Sequence, residues 1–278
     1  VERLINVFGG SGFVGGKYEE LTPNILWSNE RNDYKVKSNN THPLDIVYFI
    51  STIDNYNVHT DPFIDIDTNL TTLIKVLESC KNKNVCFNFI SSWFVYGDVE
   101  LPAKENSHCD PKGFYSITKR TAEQLLISYC ETFGIQWRIL RLGNVLGKDD
   151  KKVSKKKNAL QYLINEIREN RDINLYDGGD LYRDYIHVDD VVQAINLVIE
   201  RAPAGEIYNI GNGEKIYLRN SLEYVRTRLN STSKFNSIDI VDFHKKVQTK
   251  NMVLDISKIQ QLGYVSKYNT EQMLDSLL

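Results

Sequence analysis

The amino-acid sequence predicts an α/β chain, a Rossmann-type doubly wound parallel sheet with a small C-terminal substrate-binding lobe. Three observations predict it. Short apolar runs alternate with stretches of helical periodicity from Leu4 to Leu142, the rhythm of successive βαβ units with right-handed crossovers. The first run ends in glycines at 9, 12 and 15, spaced as a tight strand-to-helix turn requires. After Asn144 the rhythm loosens, as expected where a separate lobe begins.

Residues 3–8 open the chain as a strand, and 13–20 form the helix behind the glycines. Residues 24–27 read as the second strand and 45–50 as the third, a clear buried run. Residues 67–81 carry Leu70, Leu73, Ile74 and Leu77 at helical spacing. The strand 85–90 follows. A helix over 113–133 then sets Ala122, Leu125, Leu126, Tyr129 and Phe133 on one side and stops at Gly134. Residues 135–142 make the next strand. Beyond it, 148–157 is a charge run, read first as a solvated mobile loop and second as a phosphate clamp. A helix over 159–168, a turn at 177–180 and a helix over 189–201 complete the pattern, with mixed short elements after it. The dinucleotide-binding domain is therefore expected at 1–145 with a returning segment at about 183–211, and the substrate lobe at 146–182 and 212–278.

A chain of 278 residues can bury a full core. Its 34 basic and 36 acidic residues nearly cancel, so no overall field draws it to nucleic acid or to an anionic membrane. No apolar run is long enough to span a bilayer, and an opening strand leaves no room for a signal peptide. Cys80, Cys86, Cys109 and Cys130 lack CxxC spacing and read as reduced structural thiols of a cytoplasmic protein. His42, His59, His108, His187 and His244 are scattered without ligand spacing, so no metal is expected.

Tyr115 and Lys119 lie one helical turn apart, 23 and 27 residues after Ser92. An ammonium on that face can stabilise a phenolate. A free phenol titrates near ~10, and bringing it to neutrality costs about 4 kcal/mol. One cation at ~4 Å supplies about that much at an effective dielectric of ~20. The pair thus predicts hydride chemistry on a nicotinamide cofactor, with Tyr115 as acid/base. Ser92 follows the strand 85–90 and can hydrogen-bond the reacting oxygen, although Ser91 is an adjacent alternative.

Taken together, these motifs resemble the extended short-chain dehydrogenase/reductase family, the nucleotide-sugar epimerases, dehydratases and reductases. The similarity runs nearly end to end. Gly9, Gly12, Phe13, Val14 and Gly15 match the cofactor turn, Ser92-Trp-Phe-Val-Tyr-Gly97 matches Ser/Thr-x-x-Val-Tyr-Gly, and Tyr115 to Lys119 matches YxxxK. Arg141 to Asn144, Arg183 to Val188 and Tyr208 to Gly211 match later segments. The resemblance implies that Asn144 and Arg183 touch a nucleotide-diphosphate sugar, Arg183 through the diphosphate. It implies that Asn69 supports the active-site strand, and that a homodimer forms through helices 67–81 and 113–133.

Two departures qualify these expectations. Only about 30 residues separate Gly15 from Asp45, so one strand-helix unit is shortened. Where an NAD-selective site has an acid at the end of its second strand, this chain has Ser28, and Arg31 stands ready for a 2'-phosphate. Between NAD and NADP, this reading favours NADP. The second departure is Trp93-Phe94, where family dehydratases carry Asp-Glu. Dehydration is disfavoured, leaving a nucleotide-sugar epimerase acting at C4, with an NADPH-dependent 4-keto-deoxysugar reductase as the alternative and a non-catalytic dinucleotide sensor behind both.

Overall fold

Apolar runs with β-branched and aromatic side chains become strands here because both faces of the sheet are covered. The computed structural model describes residues 4–23, 25–37, 43–53, 55–151, 153–154, 157–247 and 250–278. Arg3, Asn24, His42, Lys152, Lys155 and Lys156, which belong to expectations above, lie outside the described residues.

In chain order, strand β1 (Leu4–Phe8) leads through the glycine turn into helix α1 (Phe13–Leu21) and strand β2 (Ile25–Asn29). Strand β3 (Leu44–Tyr48) follows without a helix among the described residues between them. Helix α2 (Phe63–Ile66), a π turn (Asp67–Thr71) and helix α3 (Thr72–Glu78) run on as one rod. Strand β4 (Val85–Ser92), helix α4 (Phe114–Phe133) and strand β5 (Gln136–Leu142) come next. Gly134, at φ 65°, ends α4 in the left-handed conformation that glycine adopts freely. Then come β6 (Asn144–Leu146), α5 (Ala159–Arg168), β7 (Ile173–Tyr176), β8 (Tyr182–Arg183), β9 (Tyr185–His187) and α6 (Val188–Arg201). Strands β10 (Glu206–Ile210) and β11 (Ile216–Tyr217), helix α7 (Leu218–Arg228), strand β12 (Phe235–Ile238) and helix α8 (Asp242–Val247) lead to the C-terminal segment.

The main sheet has the order β10-β5-β4-β3-β1-β2, with every neighbouring pair parallel. From β1 the chain steps outward to β2 and then crosses to β3 on the other side. The carboxyl ends of β1 and β3 therefore flank the switch point, where ligands of open α/β sheets bind. Among the described residues no helix lies between β2 and β3, where the sequence spacing is short.

One face of the sheet carries a core of Val191, Ile195 and Val198 from α6 with Val7, Leu140 and Ile210. The other packs Leu73, Val76 and Leu77 of α3 and Ala122 and Leu126 of α4 against Ile46, Phe87 and Ile139. A third cluster, with Leu160, Ile164, Leu175, Leu222 and Met273, forms the heart of a separate lobe. The segment from Met252 to Tyr264 does not join it. Met252, Leu254, Ile259 and Tyr264 pack into the first sheet face, so the lobe is less continuous than the expected span 212–278.

Candidate functional site

Residues with no side chain make the first part of the site. Gly9 has φ +87°, and a Cβ there would stand 3.0 Å from the Ile50 amide nitrogen. A Cβ on Gly15 would overlap the Gly9 carbonyl, so helix and strand approach as closely as backbone allows. Gly12 begins α1 with no side-chain cap, leaving the first helical N–H groups for an anion. These features fit the pyrophosphate of a dinucleotide, with Phe13 and Val14 at the opening turn of the helix.

Ser28 and Arg31 lie at the far side of this turn. Arg31 is exposed just past β2. The Ser28 hydroxyl donates to the carboxylate of Glu19, a residue of α1 that the sequence reading passed over. The next residue, Asn29, is buried and turned inward, accepting from Asn6 Nδ2 at 2.6 Å and donating to the carbonyls of Asp33 and Lys35.

The chemistry-bearing residues collect at the end of β4. Ser92 caps the short turn that follows, its Oγ accepting from the Phe94 amide at 3.3 Å. Ser91 is the buried one, donating to Glu123 Oε1 at 2.6 Å. Strand alternation thus separates the two candidates. Ser91 is committed to an internal network, and Ser92 stands partly exposed. Glu123 is also gripped by Arg141 through two hydrogen bonds, at 3.0 and 2.8 Å, and by Arg120 at 2.8 Å. Hydrogen bonds and the charge of Arg141 hold this carboxyl below its ordinary range against the opposing effect of burial.

Tyr115 and Lys119 both belong to the buried face of α4. Tyr115 opens onto a cavity. The Lys119 ammonium instead donates to the Ile90 carbonyl at 2.8 Å and lies 4.2 Å from the centre of the Phe89 ring. Its hydrogen bond therefore goes to the backbone of β4. Burial lowers its pKa from 10.5 to about 7, with Glu123 opposing the fall.

The cavity, of about 1130 Å³, lies between the sheet's carboxyl edge and the lobe. Tyr115, Trp93, Phe94, Asn144 and Arg183 all line it. Trp93 and Phe94 are stacked with centroids 4.0 Å apart, and Phe94 meets Tyr115 edge-on at 6.0 Å. The Trp93 indole donates to Asn144 Oδ1 at 3.3 Å, while the Arg183 guanidinium lies 5.1 Å over Trp93. Desolvation lowers the Arg183 pKa to about 10, which leaves it charged at neutrality. Lys157 from the charge run also reaches the cavity, paired with Asp150 at 2.7 Å. Across the mouth, Tyr56 touches His244 of α8 and lies tilted against Phe243 with ring centroids 5.3 Å apart, so the lobe meets the first domain through rings.

Asn69, in the π turn, accepts from the Thr52 amide at 2.9 Å and from Ser51 Oγ at 3.1 Å, and donates to Thr118 Oγ1 at 2.9 Å. It ties the loop after β3 to α4, the helix bearing Tyr115. A π turn often marks such functional positions. Cys80, Cys86 and Cys130 are buried, Cys109 is partly so, and none is in a disulfide. Burial pushes Cys80 and Cys130 up to about 12, as suits inert thiols. Among the described residues there is no group of His, Cys, Asp or Glu that could hold a metal, and no helix long and apolar enough to cross a membrane.

Residues 28–211 match the NAD dependent epimerase/dehydratase family. A putative UDP-glucose 4-epimerase of Methanocaldococcus jannaschii is 24% identical, over 94% of this chain and 92% of its own. Among solved structures, a UDP-glucuronic acid 4-epimerase from Bacillus cereus in complex with UDP-glucuronic acid and NAD aligns with TM-score 0.85 at 20% identity, covering 98% of this chain and 97% of that one. RMD from Pseudomonas aeruginosa complexed with NADPH aligns with TM-score 0.84 at 20% identity, covering 100% and 98%.

Proposed function

The chain belongs to the NAD dependent epimerase/dehydratase family, and on that premise we propose that it is a nucleotide-sugar epimerase. It inverts a sugar carbon, C4, by transient oxidation on NAD or NADP. The observation that carries this reading is the cavity shared by Tyr115, Asn144 and Arg183 at the sheet's carboxyl edge. When bound, the nicotinamide supplies the acceptor and donor of hydride. Tyr115 takes the proton of the sugar hydroxyl as its carbon is oxidised and returns it when the other face is reduced. Ser92 hydrogen-bonds the same oxygen and holds it through both steps. Lys119 contributes positive potential behind the phenol in its charged form. Arg183 and Asn144 hold the nucleotide diphosphate end, which lets the keto sugar turn while staying bound.

Trp93 and Phe94 count against dehydration. Neither carries a carboxyl group that can deliver a proton, and the two rings stack on each other where an acid pair would stand in sequence. The same rings favour a sugar whose apolar edge lies against them. That observation also supports the second reading, an NADPH-dependent 4-keto-deoxysugar reductase, in which Tyr115 donates a proton in one direction only. A protein that only senses dinucleotide has less support, because both Tyr115 and Lys119 are present. For the choice of cofactor, Arg31 favours a 2'-phosphate and the carboxylate of Glu19 opposes one.

Buried thiols that form no disulfide support a reducing, cytoplasmic setting. A homodimer is supported by exposed apolar side chains on the α2–α3 rod and on α4, including Phe63, Ile74, Ile117 and Leu125. The discriminating experiment incubates the purified protein with UDP- and dTDP-hexoses. Interconversion without added cofactor, with nicotinamide copurifying, is the expected result. Stoichiometric NADPH consumption on a 4-keto sugar would overturn epimerisation in favour of reduction, and no turnover of either kind would favour the sensor.

A further inference from the structure

The glycine turn and the end of β2 lie side by side, because Val7 pairs with Ser28 and Phe8 with Asn29. In a dinucleotide fold the adenosine ribose occupies that gap, and an acid at the end of the second strand grips its hydroxyls. Here the strand supplies none. Ser28 has only a hydroxyl, and the Asn29 side chain is spent on Asn6, Asp33 and Lys35.

A carboxylate is nonetheless in the gap. Glu19, on the last turn of α1, reaches back over Gly10, where a Cβ would collide with its carboxyl carbon and both oxygens. The Ser28 hydroxyl donates to the same carboxylate, fixing its direction. Glu19 is only partly buried, so its remaining acceptor sites are open to a ligand. The absence of a side chain on Gly10 is what admits it.

We infer that Glu19 is the ribose-gripping acid of this protein, supplied by the helix instead of the strand, and that it selects NAD over NADP. The inference rests on the dinucleotide reading above. A carboxylate accepts from the 2'- and 3'-hydroxyls of NAD, whereas against a 2'-phosphate it sets like charge beside like charge. It reverses the NADP preference drawn from Ser28 and Arg31, since the serine is a donor to an acid and not a free phosphate ligand.

The test is the affinity of nucleotide-free protein for NADH and for NADPH, followed by nicotinamide fluorescence. Wild type is expected to bind NADH at least ~10-fold more tightly. Glu19→Gln, which keeps the shape and removes the charge, is expected to weaken NADH by about 10-fold and to bring the two affinities within ~3-fold of each other. Ser28→Ala, which frees the carboxylate to wander, is expected to weaken NADH by a smaller factor. Wild type binding both equally or NADPH more tightly, or an unchanged ratio in Glu19→Gln, would overturn the assignment while leaving the dinucleotide reading intact. Failure of wild type to bind either would remove both.

Discussion

Replacing Lys119 by Met in the dinucleotide-free protein should make the fold more stable, not less. The ammonium is buried, and its pKa falls from 10.5 to about 7. Between those values the unfolded chain carries a proton on this lysine that the folded chain lacks, so wild-type stability rises with pH across the window. Below pH 7 both states are charged, and the whole difference is a cost of about 5 kcal/mol. Methionine of similar volume removes that cost but loses the bond to the Ile90 carbonyl, worth about 1–2 kcal/mol. The net gain at pH 6 is therefore about 3 kcal/mol. At pH 9 the lysine is already mostly neutral when folded, and the gain shrinks by about 3 kcal/mol, close to nothing. Urea denaturation of both proteins at the two pH values measures this directly. A variant less stable at pH 6, or a gain that does not change with pH, would refute the claim that this cation is dehydrated by the fold. Turnover should be lost in the variant regardless, which separates the role of the charge from its cost.

Three further outcomes are expected. Tyr115→Phe and Ser92→Ala should each lower turnover, Tyr115→Phe by about 10²–10⁴-fold, with NADH affinity within ~2-fold of wild type; Ser91→Ala should instead leave turnover nearly unchanged and lower stability by about 1–2 kcal/mol, because Glu123 loses a donor. Arg141→Met leaves the buried Glu123 carboxylate without its main partner and should cost about 3–5 kcal/mol at pH 8, with part of the loss recovered at pH 5 as that carboxyl protonates. In sedimentation equilibrium the wild type should weigh twice the 32.1 kDa chain and the double variant Phe63→Glu, Ile117→Asp should weigh one; a monomeric wild type would remove the dimer reading.

What the sequence revealed and what it hid divide along physical lines. Strands and helices of the sheet domain were legible because each is a local pattern, and even the cap of α4 followed from one glycine. The glycine turn and the tyrosine-lysine spacing were legible for the same reason. The direction of the Lys119 ammonium was not, since helical spacing sets which face a side chain leaves from but not which acceptor its flexible stem reaches. The π turn at Asp67–Thr71 was invisible to a reading that assumes 3.6 residues per turn. Glu19 escaped notice because its meaning lies in Ser28 of the following strand and Gly10 of the preceding turn, not in its own helical neighbours. Met252 to Tyr264 was assigned to the lobe because nothing local announces that Ala103 and Asn209 will receive it.

The sheet's order has a last implication. Its crevice lies between β1 and β3, both interior, while the short connection follows β2, the strand at the sheet's margin. A short connection there trims the platform beneath the proposed adenosine site and leaves the proposed chemistry of β4 and α4 untouched. The architecture is expendable at its border and fixed at its seam, so the burden of recognising one half of the cofactor can migrate to a neighbouring helix without disturbing the half that reacts.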